Sequence, residues 1–308
     1  MKAVRESADW DLVGIHAETD KLRDTYAKVG CPLLSPEELL RAAEVIVVES
    51  AVRDHFRHTK LALNAGKHVH VEKPPAVTRA EFHELQSLAA ARGCLMQMGY
   101  MWRYHPGIDK LIEAVQRGWL GEVTLVRGAI NSNYPSAAAR HELAEFRGGG
   151  MWELGCHLID AVVRMLDMPL KISSTLRAHG SFNDQLADNT VAIFEYPRAL
   201  AIISVNLMQP NASAHRFLEI TGTNGTATLR PIEPPILQFD LAKAAGPYAA
   251  KLQTIPLPKY QRYVPELADL ADAVRSHRPL AVTPDTDLSV HENSMGHFCN
   301  LKKKLVKL

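Results

Sequence analysis

Short apolar runs alternate with helical stretches along the first third of the chain, and this alternation constrains the fold more than any other feature. Residues 45–48 form a continuous β-branched run, typical of a strand that is buried on both faces. Residues 10–15, 68–72 and 95–98 also predict strands, with helical stretches between them. Strands that alternate with helices at this spacing form βαβ units, so we predict an α/β fold with a parallel sheet here.

The rest of the chain has a different pattern. Strand patterns at 172–178, 189–196 and 199–207 follow one another without long helices between them, which favours antiparallel pairing. Asn224-Gly225 predicts a hairpin turn, because Asn-Gly tolerates positive φ at both central positions. We therefore predict an α+β domain with a largely antiparallel sheet.

A chain of 308 residues is long enough for two domains. We predict the first domain over 1–103 and the second over 104–308. The predicted last helix, 287–303, is a candidate for packing back on the first domain. Residues 131–146 are polar and irregular in pattern, which predicts a loop between elements of the second domain.

The composition excludes several classes of protein. A net charge of +1 gives no general reason to bind nucleic acid. The four cysteines are widely spread, which favours reduced thiols in a cytoplasmic protein over a disulfide framework. The sequence has no run of about 18 apolar residues, so no membrane span is expected.

The predicted strand 68–72 ends at Glu72-Lys73, directly before two prolines. Proline cannot donate to a sheet ladder, so Pro74 ends the strand and leaves Glu72 and Lys73 at its carboxyl end. Ligands bind at that edge of an open parallel sheet, where a lysine can approach a substrate hydroxyl or carbonyl. The alternative is a solvated Glu-Lys pair before a turn, and position alone does not decide between the two.

The stretch GGGMWELGCHLID, residues 148–160, is the second informative feature. On a regular helix, Glu153 and His157 are four residues apart and share a face, with Asp160 nearby. A carboxylate beside an imidazole suits a general acid–base pair near neutral pH, and the alternative is a surface ion pair. A metal would need a further ligand from elsewhere, and we predict none. Cys156 points about 100° away from His157 on such a helix, which favours a packed thiol.

The glycines at 148–150 allow two interpretations. They could bind an anion at the amino end of the following helix. The simpler interpretation is a turn that lets the helix approach the first domain.

These stretches together resemble the Gfo/Idh/MocA family of nicotinamide-dependent oxidoreductases. AGKHVHVEKP is similar to that family's strand ending in Glu-Lys-Pro, and GGGMWELGCHLID to its GG-x-x-x-D-x-G-x-H-x-x-D motif. MGYMWRYHP and LEITGTNGTATL are similar to further segments in the same order, so the resemblance covers nearly the whole chain. It implies a Rossmann-like domain that binds NAD or NADP, an α+β domain, and a sugar, cyclitol or related polyol as the substrate.

The resemblance also implies roles for individual residues. Lys73 would hold the reacting hydroxyl and help relay its proton, and His157 would be the general acid–base. Glu153 stands where the family usually has aspartate. The residues implied to be catalytic are Lys73, His157 and Glu153. The implied cofactor contacts are Glu18, Glu49, Ser50, His55, Glu72 and Lys73. The implied substrate contacts are Trp102, Arg103, Glu153 and His157.

Two departures from the family pattern concern the cofactor. The sequence has no Gly-x-Gly-x-x-Gly turn, and roughly 20 residues of the strand–turn–helix unit that carries it are absent. We expect the chain to be a fragment or to start from a late start codon. The acidic slot for the adenosine ribose is occupied by Ala17, with Glu18 beside it, which leaves NAD and NADP both open.

The alternative function is a non-catalytic sugar-binding or assembly relative of the same family, which the absent turn and Glu153 favour. A further alternative is a metal-assisted hydrolase using Glu153 and His157. The resemblance also implies a homo-oligomer that pairs through the sheet of the second domain.

Overall fold

The computed structural model describes residues 2–28 and 30–293. The contacts of the chain divide it into two compact units. Unit 1 contains residues 2–101 and Gln261–Asp287, and unit 2 contains Trp102–Tyr260 and residues 288–293. The domain limits given from the sequence stay a prediction. Most of the predicted last helix, 287–303, lies outside the described residues. The described part of that region forms a helix over Pro284–His291.

The regular elements are numbered in chain order. The strands are β1 (Val45–Val48), β2 (His68–Glu72), β3 (Met96–Gly99), β4 (Val123–Ala129), β5 (Lys171–Arg177), β6 (Asn189–Glu195), β7 (Leu200–Asn206), β8 (Phe217–Gly222), β9 (Gly225–Leu229), β10 (Leu237–Leu241) and β11 (Leu252–Ile255). The α-helices are α1 (Lys2–Glu6), α2 (Asp20–Ala27), α3 (Pro36–Ala42), α4 (His55–Asn64), α5 (Arg79–Arg92), α6 (Pro106–Gln116), α7 (Ala137–Ala144), α8 (Cys156–Leu166), α9 (Val264–Ser276) and α10 (Pro284–His291).

Unit 1 is built on a parallel sheet with the order β1-β2-β3, which confirms the predicted α/β fold. Strand β2 is central, and its Val69 and Val71 side chains are fully buried. Capping boxes at Ser35 and Thr78 begin α3 and α5. Because the strands are parallel, their carboxyl ends lie at one edge, where the chain continues into Glu49 and Lys73.

The predicted strand over 10–15 is wrong. In the described residues only Ile15 pairs, through a parallel bridge to Leu33, and its N–H donates to the carbonyl of Pro32. An extended run becomes a strand only where a neighbouring chain completes the ladder of hydrogen bonds. The local sequence pattern shows the apolar run, but it does not show whether a neighbouring strand is present to pair with it.

Unit 2 contains a large sheet with the strand order β11-β10-β9-β8-β4-β7-β6-β5. Only the β4–β7 pair is parallel, which confirms a largely antiparallel sheet. The predicted turn at Asn224-Gly225 joins β8 to β9. In β6, Ala192 and Phe194 are buried on the face that forms the core, whereas Val191 and Ile193 point outward.

The predicted irregular loop at 131–146 contains the helix α7. Arg140 on this helix is buried, and its guanidinium binds Asp184 at 2.6 Å and Asp188 at 2.8 Å. Buried ion pairs of this kind come from residues far apart in the sequence, so local pattern does not report them. No helix within residues 2–28 and 30–293 has the length and apolar character of a membrane span.

Candidate active site

Lys73 lies directly after β2, at the carboxyl edge of the parallel sheet. Its side chain is 7% exposed, its peptide bond to Pro74 is cis, and its backbone N–H donates to the Glu72 carboxylate at 3.1 Å. Lysine is rarely buried to this extent unless the fold makes use of its charge. Burial therefore favours the functional interpretation of Lys73 over the solvated Glu-Lys pair.

His55 begins α4 and bridges the two loops that follow β1 and β2. Its Nδ1 lies 2.8 Å from the carbonyl oxygen of Pro74, and its Nε2 lies 2.8 Å from that of Ser50. Carbonyl oxygens only accept, so making both bonds together requires the doubly protonated ring. The ring is 2% exposed, and its nitrogens are taken by the backbone. His55 therefore holds the segments at Ser50 and Pro74 in position within unit 1.

His58 joins two of the residues implied to contact the cofactor, Glu18 and Ser50. Its Nε2 lies 3.1 Å from the Glu18 carboxylate, and its Nδ1 lies 2.9 Å from the Ser50 hydroxyl. Burial lowers the pKa of His58, which favours the neutral ring near neutral pH. In that form Nε2–H donates to Glu18 and Nδ1 accepts from Ser50, so the Ser50 oxygen keeps lone pairs for a ligand. Arg57 also binds Glu18, at 3.2 Å.

Tyr263 is a residue of this region that the sequence pattern did not single out. It precedes α9 with a φ of 69°, an unusual conformation for a bulky residue. Burial raises the pKa of its hydroxyl, and the negative charges of Glu72 and Glu49 raise it further. These three residues therefore share one electrostatic environment in unit 1. No local signal predicts a left-handed tyrosine, so the sequence could not have indicated this position.

His157 lies on α8 in unit 2, directly after a π-helical turn at Met151–Gly155. The expectation of one regular helix through Glu153 and His157 is therefore wrong, because the π turn changes the angle between them. His157 is 4% exposed and Glu153 is half-buried. Single π turns occur frequently at functional sites. Cys156 is fully buried, and its thiol donates to the Glu153 carbonyl oxygen at 3.5 Å, as a packed thiol does.

The glycines before this turn have a packing role within unit 2. Gly149 has a φ of 49°, and a Cβ there would lie 2.3 Å from the carbonyl oxygen of Ala187. The Gly150 N–H donates to the same oxygen at 2.8 Å, so it is not free to bind an anion. The close approach that the glycines permit is therefore to Ala187, within the same unit.

Asp160, the last residue of the motif, holds Arg103. The Arg103 Nε and Nη2 lie 2.9 Å and 2.8 Å from one Asp160 oxygen, and both side chains are buried. Arg164 adds a longer contact of 3.9 Å to the other oxygen. Trp102, which precedes Arg103, packs against His157 with ring centroids 5.8 Å apart. Unit 2 thus brings Trp102, Arg103 and His157 together, with Arg103 engaged by Asp160.

Asp109 at the edge of this network gives a testable pH dependence. Burial raises its pKa to about 6, although Arg164 at 3.3 Å opposes that shift. A carboxyl whose pKa is higher in the folded state contributes stability below its unfolded pKa, and loses it as pH rises through the folded value. We expect the wild-type free energy of unfolding to fall relative to that of Asp109→Asn between about pH 4 and 6. Urea unfolding of both proteins across this range measures the difference, and a constant difference would contradict the prediction.

Comparison with known proteins gives a family match for each of two parts of the chain. Residues 1–100 match a family model described as an oxidoreductase family with an NAD-binding Rossmann fold. Residues 108–228 match a model described as the GFO/IDH/MocA C-terminal domain.

Characterised relatives match over part of their length. The chain is 26% identical over 163 residues to the scyllo-inositol 2-dehydrogenase (NADP(+)) IolW of Bacillus subtilis, covering 53% of this chain and 45% of the relative. It is 34% identical over 139 residues to the D-glucoside 3-dehydrogenase of Escherichia coli, covering 44% and 39%. The chain thus spans less than half the length of these two curated relatives.

The fold also matches solved structures. The UDP-N-acetylglucosamine 3-dehydrogenase GnnA from Acidithiobacillus ferrooxidans superposes with a TM-score of 0.79 at 18% identity. That match covers 96% of this chain and 91% of the other. At this identity, the likeness shows a shared fold.

Proposed function

The chain belongs to the Gfo/Idh/MocA family of oxidoreductases, and on that premise we propose that it transfers a hydride between NAD or NADP and a sugar, cyclitol or related polyol. The observation that carries the proposal is the burial of Lys73 and His157, the two proton-carrying residues of the family's motifs. The names of the inositol and glucoside dehydrogenases among the relatives support this substrate class.

The described residues fit the ribose-binding part of a dinucleotide. Glu18 and Glu49 follow extended segments of unit 1, and Glu72 is the last residue of β2. Carboxylates at such positions bind ribose hydroxyls. The Ser50 oxygen, which donates its proton to His58, keeps lone pairs that can accept from such a hydroxyl. We assign these four residues to the cofactor.

The proposed chemistry divides between proton and hydride transfer. A bound nicotinamide supplies the hydride acceptor in oxidation and the donor in reduction. His157 removes the proton of the reacting hydroxyl as a general base, and returns it in the reverse direction. Lys73 has the role that the family's motif implies, which is to hold the reacting hydroxyl by a hydrogen bond and help relay its proton.

The remaining residues bind and orient the substrate. Glu153 keeps the charge of the family's usual aspartate on a side chain longer by one methylene, so its substrate contact differs in reach. Its half-buried position at the π turn, four residues before His157, supports this role. Trp102 lines the substrate beside His157, and Arg103 does so while bound to Asp160.

The second candidate is a sugar-binding or assembly relative without catalysis. The replacement of the family's usual aspartate by Glu153 favours it. A chain that only binds has no need of a lysine and a histidine that are both buried and proton-carrying. Burial of both groups makes the dehydrogenase the better supported candidate.

Nicotinamide absorbance distinguishes the two candidates. The purified chain is mixed with NAD or NADP and with a panel of inositols, glucosides and alditols. Reduction of either cofactor that depends on the polyol supports the dehydrogenase. Binding of a polyol by calorimetry without reduction of either cofactor supports the non-catalytic relative and contradicts the proposal.

We also place a homo-oligomer contact on the outer face of the unit 2 sheet. Val191, Ile193 and Leu200 are 36–43% exposed there and lie on adjacent strands, with Ile193 opposite Ile202. Light scattering is expected to give the mass of a dimer or larger oligomer of the 34.1 kDa chain. Ile193→Glu should reduce that mass, because a charge opposes burial of the patch.

A matched control replaces another exposed apolar residue, which lies away from this sheet and is no less exposed than Ile193. Leu61→Glu on α4 in unit 1, where Leu61 is 46% exposed, should leave the mass unchanged. A wild-type mass of 34.1 kDa at every concentration would contradict the oligomer.

A further inference from the structure

Two tryptophans of unit 2 carry indole N–H groups that are buried without a hydrogen-bond partner. Trp102 is 1% exposed and Trp152 is fully buried, and neither Nε1 has an acceptor within the described residues. Trp10 in unit 1 shows the usual arrangement, since its Nε1 donates to the Leu267 carbonyl oxygen at 3.2 Å. The fold thus satisfies the indole of Trp10 but leaves those of Trp102 and Trp152 open.

An open buried donor is costly. Indole Nε1–H can only donate, and a buried donor without an acceptor costs about 1–3 kcal/mol. Such groups are rare in folded proteins, and those that persist usually have a functional role or bind a water or ligand. Phenylalanine would fill most of the same space without this cost, so packing alone does not explain a tryptophan at either position.

The position of these indoles indicates which ligand would supply the acceptors. The Trp102 ring lies 5.8 Å from the His157 ring, centroid to centroid, with the planes tilted by 52°. Trp152 belongs to the π turn that leads into the helix of His157, and its ring stacks on Phe146 at 4.1 Å. The Trp102 ring therefore lies against the proposed acid–base, whereas Trp152 lies in the turn before its helix.

We propose that the Trp102 indole N–H donates to a substrate oxygen adjacent to the one that His157 deprotonates. This rests on the proposed function and narrows its substrate class to polyols with vicinal oxygens, in which a hydroxyl or ring oxygen neighbours the reacting hydroxyl. A simple secondary alcohol supplies no such acceptor and leaves the Trp102 donor unpaired. A site built to bind a substrate oxygen discriminates strongly against analogues that lack it.

Nuclear magnetic resonance tests this assignment without any turnover. The chain has four tryptophans, so ¹⁵N labelling gives four indole N–H signals, assigned through single Trp→Phe variants. Scyllo-inositol, myo-inositol and methyl β-D-glucoside are titrated in turn, with 2-propanol as the alcohol that lacks a vicinal oxygen. We expect at least one polyol to move the Trp102 signal in the direction of a stronger hydrogen bond, and 2-propanol to leave it in place. The Trp119 signal, from a ring that packs on Tyr248 in the same unit, serves as the internal reference.

Trp102→Phe separates a binding role from a structural role. Because it removes an unpaired donor, the variant should unfold at the wild-type temperature or above, while the dissociation constant for the polyol rises about tenfold. Trp10→Phe is the matched control. It removes a donor that has a partner, so it should lower the unfolding temperature and leave polyol binding unchanged.

The outcomes distinguish this inference from the proposed function. A Trp102 signal that no polyol moves overturns the inference, even where the polyols are oxidised. A lower unfolding temperature for Trp102→Phe with unchanged polyol binding also overturns it, since the N–H would then be satisfied within the protein. A Trp102 signal that moves on binding supports the inference, and an accompanying lack of cofactor reduction counts against the dehydrogenase alone.

Discussion

Replacement of His157 by glutamine is expected to lower kcat for polyol oxidation by about 10²–10⁴-fold, the usual contribution of a positioned general acid–base. Lys73→Met should have an effect of the same order, because it removes both the hydrogen bond to the reacting oxygen and the proton relay. Both residues are buried, 4% and 7% exposed, so bulk water cannot readily take their place. Steady-state kinetics with the best substrate of the polyol panel measures the two effects.

The kinetic pattern identifies the role of each residue. Loss of a general base removes the rise of kcat/KM with pH, so His157→Gln should flatten that profile. His141→Gln and Lys21→Met are the matched controls, since both residues are exposed and lie on α7 and α2. Wild-type kcat in His157→Gln or Lys73→Met, with both controls also unchanged, would contradict the proposed mechanism.

Asp160→Ala is expected to lower the free energy of unfolding by about 3–5 kcal/mol. Arg103 and Asp160 are 4% and 2% exposed, so removal of the carboxylate takes a bonded negative charge away from a buried guanidinium. The desolvation of the guanidinium, more than the loss of the hydrogen bonds themselves, accounts for the size of the effect. Urea denaturation at constant pH and ionic strength measures it.

Two further variants make this prediction specific to the buried pair. Arg103→Met combined with Asp160→Leu removes both charges, and should recover much of the lost stability because no uncompensated charge remains. Asp109→Ala removes a half-exposed partner of Arg164, and should change the free energy of unfolding by no more than about 1 kcal/mol at the same pH. A similar small cost for Asp160→Ala, or a double variant as unstable as the single one, would contradict the role of the pair.

The sequence indicated those parts of the fold that depend on neighbouring residues along the chain. The β-branched run at 45–48 predicted the strand β1, but its predicted burial on both faces is wrong, because Val47 is 42% exposed. Asn224-Gly225 predicted the β8–β9 turn. In each case the controlling interactions lie within a few residues, so the local pattern carries the information.

The candidate residues could also be identified from the sequence, but their surroundings could not. Lys73 and His157 were indicated by a strand end and by motif resemblance, whereas their burial is a property of the folded units. The expected regular helix through Glu153 was wrong, because residues Met151–Gly155 form a π turn. Directly before this turn, Gly149 and Gly150 approach Ala187 closely. Ala187 lies almost forty residues from those glycines, beyond the reach of any local pattern.

The sequence by itself determined the alternation of elements, the order of the two folding patterns and the family membership with its motif residues. Only the tertiary structure decided that His55 joins the loops at Ser50 and Pro74, that Asp160 holds Arg103, and that Trp102 presents an open donor beside His157. The physical reason is the range of the interactions. Backbone propensity and apolar periodicity act over a few residues, whereas burial, charge pairing and the satisfaction of buried donors depend on groups that the fold brings together from distant positions.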